Sequence, residues 1–304
     1  MNRLVIGTRG SLLARWQAAH VAAALRAAHP TLVVEERIIV TEGDRLASGP
    51  LWNAGGKGVW VKEIEAALLA REIDLAVHSM KDVPGELASG LALVAVPPRA
   101  DVRDAVVSRT GQGLAELPPG TRVGTTSLRR ACQLKAMRPD VDIAILRGNL
   151  DTRLRKVAEG VVDAAVLACA GLDRLGFAER ISERLSVERM LPAVGQGALA
   201  IEARADDAQV AALCRVLDDP ETATAVSAER AFLARLGASC RTPVAGYARV
   251  QGERMTLRGL VGKPDGSALL ADETSGSAER PHELGVALAD ALLARGAAAM
   301  LALP

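Results

Sequence analysis

The sequence predicts an α/β protein, with two lobes built on mixed, mainly parallel sheets and a small α+β domain at the C-terminal end. Three observations carry that expectation. Apolar residues make up 49% of the 304 residues while aromatics make up only 2%, so the interior must be Ala, Leu and Val, which suits helices packed on buried parallel strands. The chain is longer than one hydrophobic core usually organises. A strand, loop and capped helix open the chain, and the same pattern restarts beyond Arg103.

Arg3 to Thr8 reads as a strand, and Ser11 is placed to cap a helix from Leu12 to Ala28 that stops before Pro30. Leu32 to Val40, rich in Val and Ile, reads as a second strand, and Thr41 to Lys57 is a Gly-rich loop without periodicity. Helical spacing returns from Val59 to Arg71, followed by short strands at Leu75 to His78 and Leu91 to Val96, before Pro97-Pro98. A change of domain is expected between Pro97 and Arg103.

The second unit offers a strand at Arg122 to Gly124, a helix from Ser127 to Met137 halted by Pro139, and a strand at Val141 to Leu146. A helix from Thr152 to Glu159 and a strand at Ala164 to Ala168 follow. Gly7-Thr8-Arg9-Gly10-Ser11-Leu12 and Gly124-Thr125-Thr126-Ser127-Leu128-Arg129 echo each other, each carrying a strand into a capped helix start, which predicts two equivalent anion sites facing one cleft. Leu191 to Leu199, apolar and punctuated by glycine, reads as a crossing back to the first lobe, and Asp206 to Leu217 reads as helix. Beyond Pro220 the pattern is a helix to about Leu236, strand character near Val250, Met255 to Val261 and Ala268 to Thr274, and a last helix from Pro281 to Arg295. The expected division is therefore 1–98 with 198–216 as a discontinuous first domain, 103–191 as the second and 220–304 as the third.

Composition also excludes functions. Lys and Arg total 37 against 36 Asp and Glu, and a net charge of +1 recruits neither nucleic acid nor an anionic membrane. Trp16, Trp52, Trp60, Phe177, Phe232 and Tyr247 are too few and too scattered for a base-stacking platform. No apolar run of signal-peptide length opens the chain and none of ~18 uncharged residues follows, so a cytoplasmic protein without membrane attachment is expected. Cys132, Cys169, Cys214 and Cys240 form no C-x-x-C pair, and His20, His29, His78 and His282 lie at no ligand spacing, so free thiols and no metal are expected.

Three places combine an arginine, a hydroxyl or amide and a helix start, where unpaired N–H groups favour anions. They are Arg9 with Ser11; Thr125, Thr126 and Ser127 with Arg129 and Arg130; and Arg147 and Asn149 with Arg153. Taken singly, each could equally be an ordinary cap beside a solvated arginine. Glycine-rich phosphate fingerprints are absent, so a ligand with several carboxylates fits the arginine forks better than a nucleotide does. Val77 to Pro84 follows a buried strand and sets Ser79, Lys81 and Asp82 at its carboxyl end, where open α/β sheets bind ligands. Asp82 could instead organise the turn before Pro84, and His78 reads as a packed, hydrogen-bonded residue. Cys240 stands in a loop of small residues next to Arg241, which favours thiolate, although an inert cysteine stays open. The other three cysteines fall on apolar patterns.

With these residues in view, the chain closely resembles the porphobilinogen deaminases, also called hydroxymethylbilane synthases, from about Arg3 through the C-terminal domain. The motifs are Gly55-Gly56-Lys57-Gly58, His78 to Pro84, Gly124 to Arg130, Arg147-Gly148-Asn149, Leu191 to Ala198, and Cys240. The resemblance implies two lobes like those of a periplasmic binding protein and a third domain carrying the cysteine. It implies a dipyrromethane cofactor joined to Cys240 through a thioether and made by the enzyme from its own substrate. Porphobilinogen would lose ammonia to give an electrophile that the terminal pyrrole of the growing chain attacks; four cycles and a hydrolysis would release hydroxymethylbilane for tetrapyrrole and heme biosynthesis.

By the same resemblance Asp82 is the catalytic carboxylate that stabilises the cationic intermediates. Arg9, Ser11, Lys81, Thr125, Ser127, Arg129, Arg130, Arg147, Arg153, Arg174 and Gln196 contact cofactor or substrate carboxylates, and Lys57 belongs to an active-site lid. A monomer is implied, with transient hand-over of product to uroporphyrinogen-III synthase. The chain departs from the family pattern at Asn53, where a lysine is usual, at Trp60, where a phenylalanine is usual, and at Gly237-Ala238-Ser239, where a pair of glycines is usual. A non-enzymatic two-lobed polyanion receptor would present the same arginines, and Cys240 separates that reading from the enzyme. A phosphate-transfer enzyme is the second rival, without a phosphate loop to support it.

Overall fold

The computed structural model describes residues 2–45, 59–239 and 242–301. In the first lobe β1 (Arg3–Thr8) leads into α1 (Leu12–Ala28), whose first turn is closed by the Ser11 hydroxyl accepting from the Ala14 N–H at 3.3 Å. Ala14, Ala18, Val21, Ala22 and Leu25 share one helical face and bury it on the sheet. β2 (Val33–Ile38), the short α2 (Glu42–Arg45), α3 (Lys62–Leu69), β3 (Leu75–Ser79) and β4 (Leu91–Ala95) follow.

The second lobe contains β5 (Asp104–Ser108), β6 (Arg122–Gly124), α4 (Leu128–Met137), β7 (Asp142–Ala144), α5 (Leu150–Ala158), β8 (Ala164–Ala168), α6 (Cys169–Arg174) and β9 (Glu183–Leu185). The chain then returns to the first lobe with β10 (Leu199–Arg204) and α7 (Ala208–Cys214). Last come α8 (Pro220–Arg235), β11 (Val244–Gln251), β12 (Arg254–Gly262), β13 (Leu269–Ser277), α9 (Pro281–Ala294) and α10 (Ala297–Leu301).

The two five-stranded sheets have matching orders, β2-β1-β3-β10-β4 and β7-β6-β8-β5-β9. In each, four strands share one direction and the fourth in that order, the strand entered from the other lobe, runs against them. An antiparallel strand begins where its parallel neighbour ends. Leu199 therefore pairs with Ser79 at the carboxyl end of β3, and Asp104 pairs with Ala168 at the carboxyl end of β8. Both crossings are thus delivered to the strand ends where α/β sheets bind ligands.

Sequence patterning misses β5, β9, β10 and α6, and places Leu199 only in a crossing segment. β10 carries Glu202 and Arg204 in a strand whose every residue is buried, so hydropathy does not alternate along it. The expected strands at Leu32 to Val40 and Val141 to Leu146 are shorter in the structure, at Val33–Ile38 and Asp142–Ala144.

The first core gathers Leu4, Ile6, Leu25, Leu75 and Ile201, and the second lobe has two smaller clusters on either face of its sheet. Each such fully buried Leu or Ile contributes roughly 1.5–3 kcal/mol. The antiparallel β11-β12-β13 sheet packs on α8 and α9 around Phe232. It is fastened to the crossings by Glu229, wholly buried, which pairs with Arg99 at 2.6 Å and accepts N–H bonds from Gly195 at 2.7 Å and Ala248 at 2.9 Å. No helix among the described residues is long and apolar enough to cross a membrane.

Candidate active site

A cleft of about 740 Å³ opens between the two lobes and the third sheet's domain. Its first wall is the carboxyl end of β3. After Ser79 a single 3-10 turn, Met80–Asp82, is anchored by the buried Met80 side chain and by the Met80 N–H donating to Ala198 O at 3.0 Å. Gly195, at φ +70, lies against Met80 so closely that a Cβ there would sit 2.5 Å from Met80 Cγ, which is why glycine occupies that position. With Met80 held inward, Lys81 and Asp82 line the cleft.

Neither side chain makes a hydrogen bond to the described residues. Burial lowers the Lys81 ammonium pKa to about 8, with the Arg130 charge adding and Asp82 partly opposing. Burial likewise lowers Arg153 to about 10, again with Arg130 adding and Asp82 opposing. Asp82 is therefore a carboxylate among crowded cations, and a ligand's carboxylates would relieve the crowding.

The second wall is the start of α4. The Ser127 hydroxyl accepts from the Arg130 N–H at 3.4 Å, and buried Thr125 accepts from the Ser127 N–H at 3.1 Å without reaching the cleft surface. Arg129 and Arg130, expected as open grips, line the cleft yet are only 4% and 6% exposed, because both close on Asp104 at 2.7 Å. Burial alone would raise the Asp104 carboxyl, but the two guanidiniums hold it far below the usual carboxylate range. Gln196, from the return crossing, donates to Asp104 at 3.0 Å and to Val102 O at 2.8 Å.

Arg9 forms an ion pair with Asp44 and lies 4.1 Å from the Trp60 ring, so both Trp60 and Arg9 face the cleft from the first lobe. Arg153 donates to Gly148 O at 2.7 Å and Arg174 to Gly197 O at 2.8 Å, and both line the cleft with Ser11 and Asn149. Arg147 does not line it. Lys57, Asn53 and Cys240 lie outside the described residues. The residues flanking the cysteine, Ser239 and Thr242, do line the cleft, and the Thr242 hydroxyl ties them by accepting from Ser239 N–H at 3.0 Å and donating to Ser239 O at 2.6 Å.

His78 packs against Glu202 at 3.0 Å, away from the cleft surface. Burial pushes the thiols of Cys132, Cys169 and Cys214 up to about 11, 12 and 12, which leaves them inert. Sequence reasoning overlooked two carboxylates. Asp104 opens a buried strand, and an acid immediately before Ala-Val-Val was the available signal. Glu65 lines the cleft from α3, its carboxyl pushed up by burial and by the neighbouring Glu202 charge; its place on the helix gave no signal.

A family model described as porphobilinogen deaminase, dipyrromethane cofactor binding domain, matches residues 4–212, and one described as porphobilinogen deaminase, C-terminal domain, matches residues 223–294. The chain is 49% identical over 296 residues to a porphobilinogen deaminase of Syntrophobacter fumaroxidans, covering 97% of this chain and 96% of that one. It is 52% identical over 299 residues to a porphobilinogen deaminase of a Roseiflexus species, covering 98% of each. Among solved structures, the arginine-specific periplasmic binding protein STM4351 of Salmonella typhimurium superposes with a TM-score of 0.42 at 17% identity, covering 73% of this chain and 96% of that one.

Proposed function

Because the chain belongs to the porphobilinogen deaminase family, we propose that its cleft holds the carboxylates of a pyrrole chain on arginines while Asp82 acts at the reacting end. The activity is that of hydroxymethylbilane synthase, a transferase of tetrapyrrole biosynthesis that joins four porphobilinogen units and releases the linear product. The observation that carries the residue assignment is the Asp82 side chain, set at the end of β3 without a hydrogen-bond partner among the described residues and beside Lys81 and Arg153.

The cleft fits a dipyrromethane: it is lined by cations for acidic side chains, and Ser239 and Thr242, on either side of Cys240 in sequence, line it. When bound, the cofactor supplies a terminal pyrrole as the nucleophile that starts the chain. Cys240 is the attachment point in this reading. Its support is the burial and raised thiol pKa of the other three cysteines, which leave none of them suited to form a thioether.

In this reading the Asp82 carboxylate faces the positive charge that departing ammonia leaves on the substrate and stabilises it electrostatically. The same carboxylate takes the proton that the attacking pyrrole ring loses as it rearomatises after the new carbon–carbon bond has formed. Lys81, Arg9, Arg130, Arg153 and Arg174 hold acetate and propionate groups, and Ser11 and Ser127 present helix starts to them. Arg129 and Gln196 act through the wall they build with Asp104, while Thr125 and Arg147 support that side from behind the cleft surface. Lys57 is assigned to a lid. The sheets support a division at 1–98 with 198–216, 103–191 and 220–304, and the chain is proposed to work as a monomer that passes its product to uroporphyrinogen-III synthase.

Intact-mass measurement tests the reading. The freshly purified protein is expected to exceed the polypeptide mass by a dipyrromethane, and Cys240→Ser to lose that excess together with activity. Bare polypeptide mass in protein that turns over porphobilinogen would sink the covalent assignment.

A further inference from the structure

Asp104 is wholly buried at the first residue of β5, where the outbound crossing enters the second lobe. One of its oxygens accepts from Arg130 Nε at 3.1 Å, Arg130 Nη2 at 2.7 Å and Gln196 Nε2 at 3.0 Å. The other accepts from Arg129 Nη1 at 2.7 Å. Arg129 is committed further, donating from Nη1 to Leu191 O at 2.8 Å and from Nη2 to Gln196 Oε1 at 3.4 Å. Asp104 is therefore a carboxylate on which the outbound crossing, the return crossing and the start of α4 converge.

Arg130 differs from Arg129. It spends Nε and Nη2 on Asp104 and makes no hydrogen bond through Nη1 to the described residues, while its side chain lines the cleft. One edge of its planar fork is thus locked, and the two N–H groups of Nη1 are left for a ligand. Two guanidiniums against one carboxylate leave this wall with one net positive charge. A counter-ion behind the arginines also lets them be packed together without expelling one another.

We infer that Asp104 is a positioning residue for the reaction: it fixes the bearing of Arg130 towards the carboxylates of the bound pyrrole chain and ties that bearing to both crossings between the lobes. The inference deepens the reading given above and rests on it. An arginine aimed in advance loses no freedom when a carboxylate arrives, so the chain is held equally well at each length. Because the seat is tied to both crossings, its relation to them stays constant while the chain is extended.

The test uses full-length, cofactor-loaded enzyme carrying Asp104→Glu or Asp104→Asn. Thermal unfolding, turnover per loaded and folded molecule, and the intact-mass ladder of adducts under limiting porphobilinogen are measured together. Asp104→Glu keeps the charge but advances the carboxylate by one methylene; it is expected to fold, to lose about tenfold or more in turnover per molecule, and to stall as short adducts. Asp104→Asn is expected to stall more severely in whatever fraction folds. A role in stability alone predicts less folded protein whose turnover and adduct ladder match the wild type, and that result would overturn the inference. Failure of Asp104→Glu to fold would overturn it too, by assigning the carboxylate to stability. A wild-type enzyme that neither consumes porphobilinogen nor forms adducts would instead overturn the functional reading itself.

Discussion

The two walls of the cleft are built on opposite principles. On the first lobe Lys81 and Asp82 leave β3 on a short turn and make no side-chain hydrogen bond to the described residues, so their charges are held by backbone placement alone. On the second lobe Arg129, Arg130 and Asp104, joined by Gln196 from the return crossing, form a buried network gathered on one carboxylate. A group that must change its interactions in every cycle cannot be tied down, whereas a group that must look the same in every cycle should be. In the proposed reading, reactivity and constancy thereby fall to different lobes.

The largest expected break in that contrast comes from Asp82→Asn. Turnover should fall by about 100-fold or more, since the charge that stabilises the cationic substrate is gone, while the thermal midpoint stays near the wild-type value because no hydrogen bond is lost. Turnover within a few-fold of wild type would refute the division of labour. Arg129→Met attacks the opposite wall. It leaves Asp104 with one guanidinium in place of two and should cost about 3 kcal/mol of stability in denaturant unfolding. A variant as stable as the wild type would show that the network is not a fixed scaffold.

The smallest effect concerns pH. Lys81 loses its proton at about pH 8 in the folded protein and near its ordinary 10.5 in the unfolded chain. Between those values the unfolded chain binds the proton and the folded one does not, so the ligand-free protein should gain stability as pH rises through that window. Over the same rise the cleft loses a cation, and porphobilinogen affinity should weaken by about threefold per lost charge contact. Lys81→Met should remove both dependences. A binding profile that is flat from about pH 7 to 9 in the wild type would mean that Lys81 takes no part in holding carboxylates.

Much of the first wall was legible in the sequence because its signals are local. A buried strand followed at once by Lys81-Asp82 and a proline, or a serine set before an amphipathic helix as at Ser11, needs no knowledge of distant residues. The second wall was read in part and misread in its exposure. Arg129 and Arg130 looked like outward grips because their partner stands 25 residues earlier in a strand that patterning did not find. β10 escaped for a related reason: Glu202 finds His78 and Arg204 donates to Leu68 O and Ile73 O, and these pairings bury charge where hydropathy predicts exposure. Long-range polar pairs are what single-residue patterning cannot see.

The late return of β10 to the first lobe has a consequence for how the chain is made. The sheet of the second lobe draws all of its strands from Asp104 to Leu185, so it can close as soon as that stretch has left the ribosome. The lobe synthesised first must wait. Until Leu199–Arg204 arrives, nothing joins β3 to β4 in its sheet, and β4 has no partner at all. The later-made lobe is therefore completed before the earlier one, and a nascent chain arrested before residue 199 would display an unpaired edge of β3 to chaperones and proteases alike.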